Sequence, residues 1–416
     1  MTKRIQTKLG DYFSSVGGMT RPEVRCLRDM AVGILKSKTV FVNRIAASLR
    51  EPLKMKDVCK RLSSQYLKRD YAGKVLGAHL DRVCPTVGKD GFIVMDGTDI
   101  SKKYSKFMEG LEFVRNGDTG GIGLGYNVLN INAVGTDREI TPLYSKAYSY
   151  EMGAPSSNNE VKKAVRAVNE RLDGKGCWVF DRGADNAILK DFFTGMGGQC
   201  IIRLKKNTGL RYKGEDLKVS QIAQRIESTL SQKAVKVKKE ALVTEVYDLA
   251  AVPVTYRTEK GAELSVWLVI SRNRRHGGLC YLLVKSDLET SIEVAKRSFK
   301  GYGLRWKIEE YHRHVKSQYG LEDVQMRTFD GLQSVLAVLT VAMYMVYRKL
   351  RALHFGLLLD CGYNYLNRHT PRELVNFIYY KVGKVVSNLL MPVRMRWKPL
   401  NTERIPDTGQ LDLMFN

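Results

Sequence analysis

Tyr302-Gly303-Leu304-Arg305-Trp306-Lys307-Ile308-Glu309-Glu310-Tyr311-His312-Arg313-His314-Val315-Lys316 is the stretch on which the rest of the chain turns. Counted from Tyr302, Arg305, Glu309 and Lys316 stand three, seven and fourteen residues on. At ~3.6 residues per turn these offsets lie along one stripe of a helix. The spacing therefore predicts one carboxylate with a guanidinium a turn before it and an ammonium two turns after. An exposed helix laced by i,i+4 ion pairs, each worth ~0.2–0.5 kcal/mol, is the plain account. Arg ahead of Glu is the less favourable order for such a pair. A phosphate-gripping face fits better: the carboxylate holds a metal while Arg and Lys hold adjacent phosphates. Glu310 lies about 100° around the helix from the stripe and is set aside. His312 and His314 resemble a metal pair, but with six His in the chain and no third ligand nearby they do not read as a zinc site.

Upstream of this stretch, two short apolar runs end in aspartate, Phe92-Ile93-Val94-Met95-Asp96 and Trp178-Val179-Phe180-Asp181. A carboxylate at the carboxyl end of a buried strand projects from a rigid sheet edge, where open α/β sheets bind ligands. Rigid placement suits magnesium, a hard cation that takes oxygen ligands in near-octahedral geometry. Taken singly, each ending is equally a helix cap or a turn starter. Asp99 rivals Asp96 on the residues alone. Asp185 is expected to cap the helix that begins near Ala187.

Bulk composition narrows the chemistry. The 416 residues carry 68 Lys and Arg against 43 Asp and Glu, a net charge of +25. So large an excess repels itself, and a polyanionic partner relieves that repulsion while releasing condensed counterions. Seven cysteines without a C-x-x-C pair argue against a zinc module or a disulfide framework and for a reducing cytoplasm. Residues 1–10 are too polar for a secretory leader. Residues 335–346 are too short to span a bilayer, which takes about 20 residues, and are expected as a buried helix, with no membrane partner.

Along the chain, residues 21–67 repeat apolar side chains at helical spacing with Lys and Arg between, the pattern of a compact DNA-binding module or of a plain helical bundle. Strands are expected at 92–95, 126–133 and 177–180, a hairpin turn at 117–125 and a helix at 158–172, giving a mixed sheet. Residues 201–287 turn β-rich. Helical periodicity returns over 292–318 and 335–353.

At this point the motifs resemble a known family. Tyr302, Arg305, Glu309 and Lys316 fit Y-x2-R-x3-E-x6-K, the signature of the DDE transposases of bacterial insertion sequences, and the string Arg305–Lys316 resembles that family's third motif closely. Asp96-Gly97-Thr98 resembles its first motif, D-x-T, and Asp181-Arg182-Gly183 its second, D-R-G. The resemblance implies an α/β fold: a ribonuclease-H-like core with a β-rich insertion, flanked by N-terminal and C-terminal helical regions. The expected division is a helical DNA-binding region at 1–75, the first part of the core at 76–200, the insertion at 201–287, the second part of the core with the Glu helix at 288–350, and a dimerisation candidate at 351–416.

It further implies Asp96, Asp181 and Glu309 as catalytic and metal-binding residues for two Mg²⁺, with Mn²⁺ able to substitute. Tyr302, Arg305 and Lys316 are the expected phosphate contacts. Tyr281 is a base-stacking candidate at a position where a family member carries Trp, and Arg203 and Lys205 are further DNA-contact candidates. The implied reaction is cut-and-paste transposition by a homodimer on double-stranded DNA with terminal inverted repeats, followed by joining to target DNA, in a bacterial cytoplasm at the nucleoid. A non-transposing nuclease of the same fold and a non-catalytic DNA-binding protein are the alternatives.

Overall fold

Apolar side chains at helical spacing need a partner surface, and the first five helices share one. The computed structural model describes residues 2–66, 71–117, 120–238, 241–349 and 378–391. The dimerisation candidate 351–416 falls outside these residues, apart from 378–391. Helices α1 (Thr2–Ser14), α2 (Arg21–Ser37), α3 (Val42–Leu49), α4 (Met55–Tyr66) and α5 (Tyr71–Val83) open the chain. Helix α1 was not anticipated: its net polarity hides Ile5, Leu9, Tyr12 and Phe13, which recur at helical spacing and are all buried. Glu23 accepts from the Thr20 N–H at 2.6 Å and so caps the start of α2.

Next come β1 (Phe92–Ser101), β2 (Glu112–Arg115), β3 (Ile122–Val134) and β4 (Ile140–Tyr148), then α6 (Ser157–Leu172), β5 (Cys177–Phe180), α7 (Ala187–Gly195) and β6 (Gln199–Leu204). The β-rich stretch supplies β7 (Gly209–Tyr212), β8 (Glu215–Lys218), the short α8 (Val219–Gln224), β9 (Leu230–Lys238), β10 (Ala241–Arg257), β11 (Glu263–Asn273) and β12 (Leu279–Lys285). Helices α9 (Ser291–Leu304), α10 (Trp306–Tyr319), α11 (Phe329–Tyr344) and α12 (Ile378–Leu390) follow.

Among the described residues twelve strands form one mixed sheet. At its centre β4, β3 and β1 run antiparallel, and β5 and β6 continue parallel to β1. This is the mixed sheet expected for the core. Period-two alternation then sorts the side chains. Ile93, Met95, Trp178 and Phe180 face the layer containing α5, α6, α7 and α11. Phe92, Val94, Cys177 and Val179 face Val294, Ala295, Leu304 and Ile308 of α9 and α10.

Three boundaries differ from expectation. β1 does not end at Asp96 but runs on to Ser101, because β3 offers it an unbroken antiparallel partner as far as Gly125. β6 belongs to the core sheet, and the insertion is no separate layer: β12 pairs with β6 and carries the sheet onward. The N-terminal helices are no free module either. A boundary at 75 cuts α5, and α1–α5 share one buried cluster with α11 and α12. Helix α11 is buried from Gly331 to Tyr344. The span Phe329–Arg348 is long and apolar enough to cross a membrane, but it is 89% buried within the protein and serves as a core helix.

Helix α9 lies unusually close to the sheet. A Cβ at Gly301 would meet the Phe92 ring at 2.4 Å, and that ring is 1% exposed with nowhere to move. Gly303, on the same helix, has nothing within 4 Å. Gly301→Ala should therefore lower stability by about 1–3 kcal/mol in urea denaturation through overpacking. Gly303→Ala should be neutral or gain up to about 1 kcal/mol from helix propensity. Equal effects at the two positions would contradict this packing.

Candidate active site

The two strand aspartates arrive side by side through register. β1 and β5 pair in parallel at Phe92–Cys177, Ile93–Trp178 and Val94–Val179. Continued two residues on, this register sets Asp96 opposite Asp181, both on the face that α9 and α10 cover. β5 has ended by then, so Asp96 stands where β1 runs on past its parallel neighbour.

The third carboxylate comes from a broken helix. The stripe expected on one continuous helix is split, because α9 ends at Leu304 and α10 begins at Trp306. Arg305 sits between them, with its N–H bonded to Tyr302 O at 3.2 Å and its carbonyl accepting from Ile308 N at 3.1 Å. These three-residue bonds tighten the chain at the joint. The break places Glu309 in the first turn of α10, where the helix dipole favours an anion.

The Arg305 guanidinium then gathers all three acids. Its Nη2 is 2.5 Å from Glu309 Oε1, and its Nη1 lies 3.4 Å from Asp96 Oδ2 and 4.0 Å from Asp181 Oδ2. The pairing order thought unfavourable is thus used, since Arg305 caps the helix instead of lying within it. The Tyr302 hydroxyl donates to Asp181 Oδ1 at 2.9 Å, and Arg203 Nη1 donates to the Tyr302 oxygen at 2.9 Å while lying 3.5 Å from Asp181.

The two aspartates are pushed in opposite directions. Burial raises Asp96 to about 6, helped by the like charges of Asp181 and Glu309, while Arg305 and the Gly97 N–H oppose it. Burial would raise Asp181 too, but the Arg182 N–H, Arg305, the Tyr302 hydroxyl and Arg203 together outweigh it and hold Asp181 below its ordinary value.

Three carboxylates make an all-oxygen donor set, which fits hard divalent cations such as Mg²⁺ or Mn²⁺. The desolvated Asp96 is a group that a cation would relieve. Among the described residues no three His, Cys, Asp or Glu side chains lie close enough to chelate a metal as they stand. The Arg305 guanidinium stands among the three acids, within 4.0 Å of each.

Other candidates lie elsewhere. Lys316 Nζ pairs with the buried Asp99 at 3.0 Å and with Glu322 at 3.4 Å, not with the triad. Asp99 in turn accepts from Gly117 N at 3.2 Å and so joins β1, α10 and the β2–β3 loop. Glu310 pairs with Lys307 at 2.7 Å. Tyr281, the base-stacking candidate, lies on β12 between β6 and β11 and is 7% exposed, so its ring is largely covered as it stands. Asp185 does not cap α7; Asn186 does, accepting from Leu189 N at 3.0 Å. Asp185 instead accepts from Lys190 Nζ and the Lys205 N–H, each at 2.7 Å, and fixes the loop after β6. Lys205 keeps an exposed side chain on that loop.

His312 and His314 point to separate core partners, Asn130 at 3.1 Å and Tyr347 at 2.7 Å, and burial lowers both to about 3. Asn130, which faces Asp96 across the β1–β3 pair, was missed in the sequence. A single Asn within a strand carries no signal until its partner is known.

A family model described as the transposase DDE domain matches residues 88–345, a span that begins just before β1 and takes in Asp96, Asp181 and Glu309. No curated protein matches the chain.

Asp96 lends itself to a pH test. Its folded value of about 6 exceeds its ordinary 3.8, so its ionisation opposes folding: the penalty is absent below 3.8, grows up to about 6 and is constant above. Asp96→Asn cannot ionise and should melt above the wild type at pH 8 in metal-free buffer. That gap should close as the pH falls from about 6 to about 4. Equal melting temperatures at pH 8 would show that Asp96 carries no such penalty.

Proposed function

Because the chain belongs to the transposase DDE domain family, and so is a DNA-acting transposase, we propose that Asp96, Asp181 and Glu309 are its catalytic acids and that it cuts transposon ends and joins them to a target by two-metal phosphoryl transfer. The observation that carries this proposal is the convergence of three carboxylates, from β1, the end of β5 and the first turn of α10, on one guanidinium. The subgroup is the one with the Tyr-Arg-Glu-Lys signature, on the spacing of Tyr302, Arg305, Glu309 and Lys316.

Asp96, Asp181 and Glu309 would hold the divalent cations, which when bound supply activation of a water or DNA 3′-OH and stabilisation of the leaving oxygen. The remaining work belongs to side chains. Tyr302 and Arg203 fix the Asp181 carboxylate in orientation. Arg305 offers a planar fork to the phosphate that reaches the carboxylates, a geometry suited to two parallel hydrogen bonds. Lys316, already paired, acts by tying α10 to β1 through Asp99 and so fixes where Glu309 stands. The exposed Arg44, Lys54, Lys56 and Lys60 of α3, α4 and the link between them are suited to backbone contacts with end DNA. A reaction on two ends calls for two protomers, so a homodimer on paired terminal inverted repeats is the working assembly.

Asp96→Ala, Asp181→Ala and Glu309→Ala should each abolish Mg²⁺-dependent cleavage of an end-bearing duplex and retain DNA binding, because the phosphate contacts lie elsewhere. Glu310→Ala should keep chemistry. Cleavage by any of the first three at the wild-type rate would remove that residue from the site. Joining of the cut end to a second duplex separates a transposase mechanism from simple nuclease action.

A further inference from the structure

Beyond Asp96, β1 runs on to Ser101, where Gly125 and, next to it, Glu112 continue the sheet into the β2–β3 hairpin. The segment around this hairpin carries large apolar side chains that are largely exposed. Tyr104 is 86% exposed, Phe107 91%, Phe113 77% and Ile122 79%. Such exposure usually costs solubility and marks an interaction site.

The segment is nonetheless firmly held at its base. Lys102 donates to the Glu322 carbonyl at 2.5 Å and also to that of Val324. Glu109 accepts from Phe329 N at 2.8 Å, and Tyr126 donates to the Glu109 carbonyl at 2.7 Å. Of its described acidic side chains, the exposed Glu109 is bonded to Phe329 N and the buried Glu112 accepts from Asn127 and from Tyr150 N. Its exposed Lys106 and Arg115 have no ion-pair partner among the described residues, and Lys103 stands only over the Tyr104 ring, 5.4 Å from its centre. An anchored loop with aromatic tips and unspent positive charge has the chemistry of a nucleic-acid wedge, with apolar groups against base steps and cations on phosphates.

We propose that residues 102–110 and the β2–β3 hairpin dock the target duplex and unstack it near the joint. This rests on the transposase mechanism proposed above. The apolar tips carry almost no donors or acceptors to read base edges, so they suit DNA of any sequence, as a target is, more than a terminal repeat of fixed sequence. A second copy of this chain is disfavoured, because a two-fold contact through this patch would bring Lys106 and Arg115 against their own copies. From Asp96 to the hairpin base is five strand residues, about 17 Å. That length corresponds to about five base pairs from the reacting phosphate at ~3.4 Å per base.

The test uses the full-length chain on a branched duplex, an end already joined to a target arm, with 2-aminopurine placed in either arm. The expected result is a fluorescence rise about five base pairs into the target arm, lost in Phe107→Ala/Phe113→Ala. Binding to an unbranched end duplex and cleavage of that duplex should stay within about twofold of wild type. Lys106→Ala/Arg115→Ala should flatten the dependence of log affinity on log salt for the target arm by about 1.8. A rise confined to the end arm, a wild-type signal in the Phe pair, or a loss of self-association in the Phe pair would overturn the wedge. Failure of the wild type to cleave ends at all would count against the mechanism above, while the branched-duplex signal still decides the wedge.

Discussion

Everything at the sheet edge depends on one cation held among three anions. Two like charges 4 Å apart repel by about 4 kcal/mol at an effective dielectric of ~20. Asp96, Asp181 and Glu309 share a half-buried face where water screens them poorly. Arg305, 11% exposed, reaches all three with a single planar group. It is always protonated, so its compensation does not lapse at working pH. The uneven result, with Asp96 raised and Asp181 lowered, follows from who else is near: Asp181 has Tyr302, Arg203 and a backbone N–H, whereas Asp96 has one backbone N–H.

The rest of the fold delivers that guanidinium. Gly301 lets α9 press onto Phe92, the joint at Arg305 turns the chain, and α10 leaves with Glu309 in its first turn. At the far end of α10, the Lys316–Asp99 pair fastens the helix to the same strand that carries Asp96. β1 is therefore held at Asp96 from the joint before α10 and at Asp99 from the last turn of that helix. The arrangement is rigid, as a site that must hold reacting groups to within a fraction of an ångström requires.

Much of this was legible in the chain. The three acids stood out because an apolar run precedes each aspartate, because Glu309 shares a helical stripe with Arg305, and because their motifs occur in order. The transposase family match agrees with that reading at the level of the domain. What sequence periodicity could not give was tertiary in origin. An unbroken helical pattern through 302–316 hides the joint, since Arg305 keeps helical dihedrals while its hydrogen bonds change. How far the Tyr281 ring is covered depends on the neighbours that tertiary packing brings to it, and at 7% exposure it is largely covered. Asp185 looks like a cap by position, but Asn186 next to it takes that role, and three donors from β6 and α7 onward claim the Asp. The basic N-terminal helices resemble a detachable module until α11, apolar on every side, shows what their inner faces cover.

On the proposed mechanism Arg305 compensates a carboxylate cluster that a divalent cation would compensate instead. The direct measurement is the melting temperature of Arg305→Ala beside wild type, in EDTA and in millimolar Mg²⁺. The variant should melt lower than wild type in EDTA and gain markedly more from Mg²⁺, with that gain lost when Asp96→Asn and Asp181→Asn are added. A variant that melts like wild type in EDTA, or whose response to Mg²⁺ survives removal of the aspartates, would contradict this compensation.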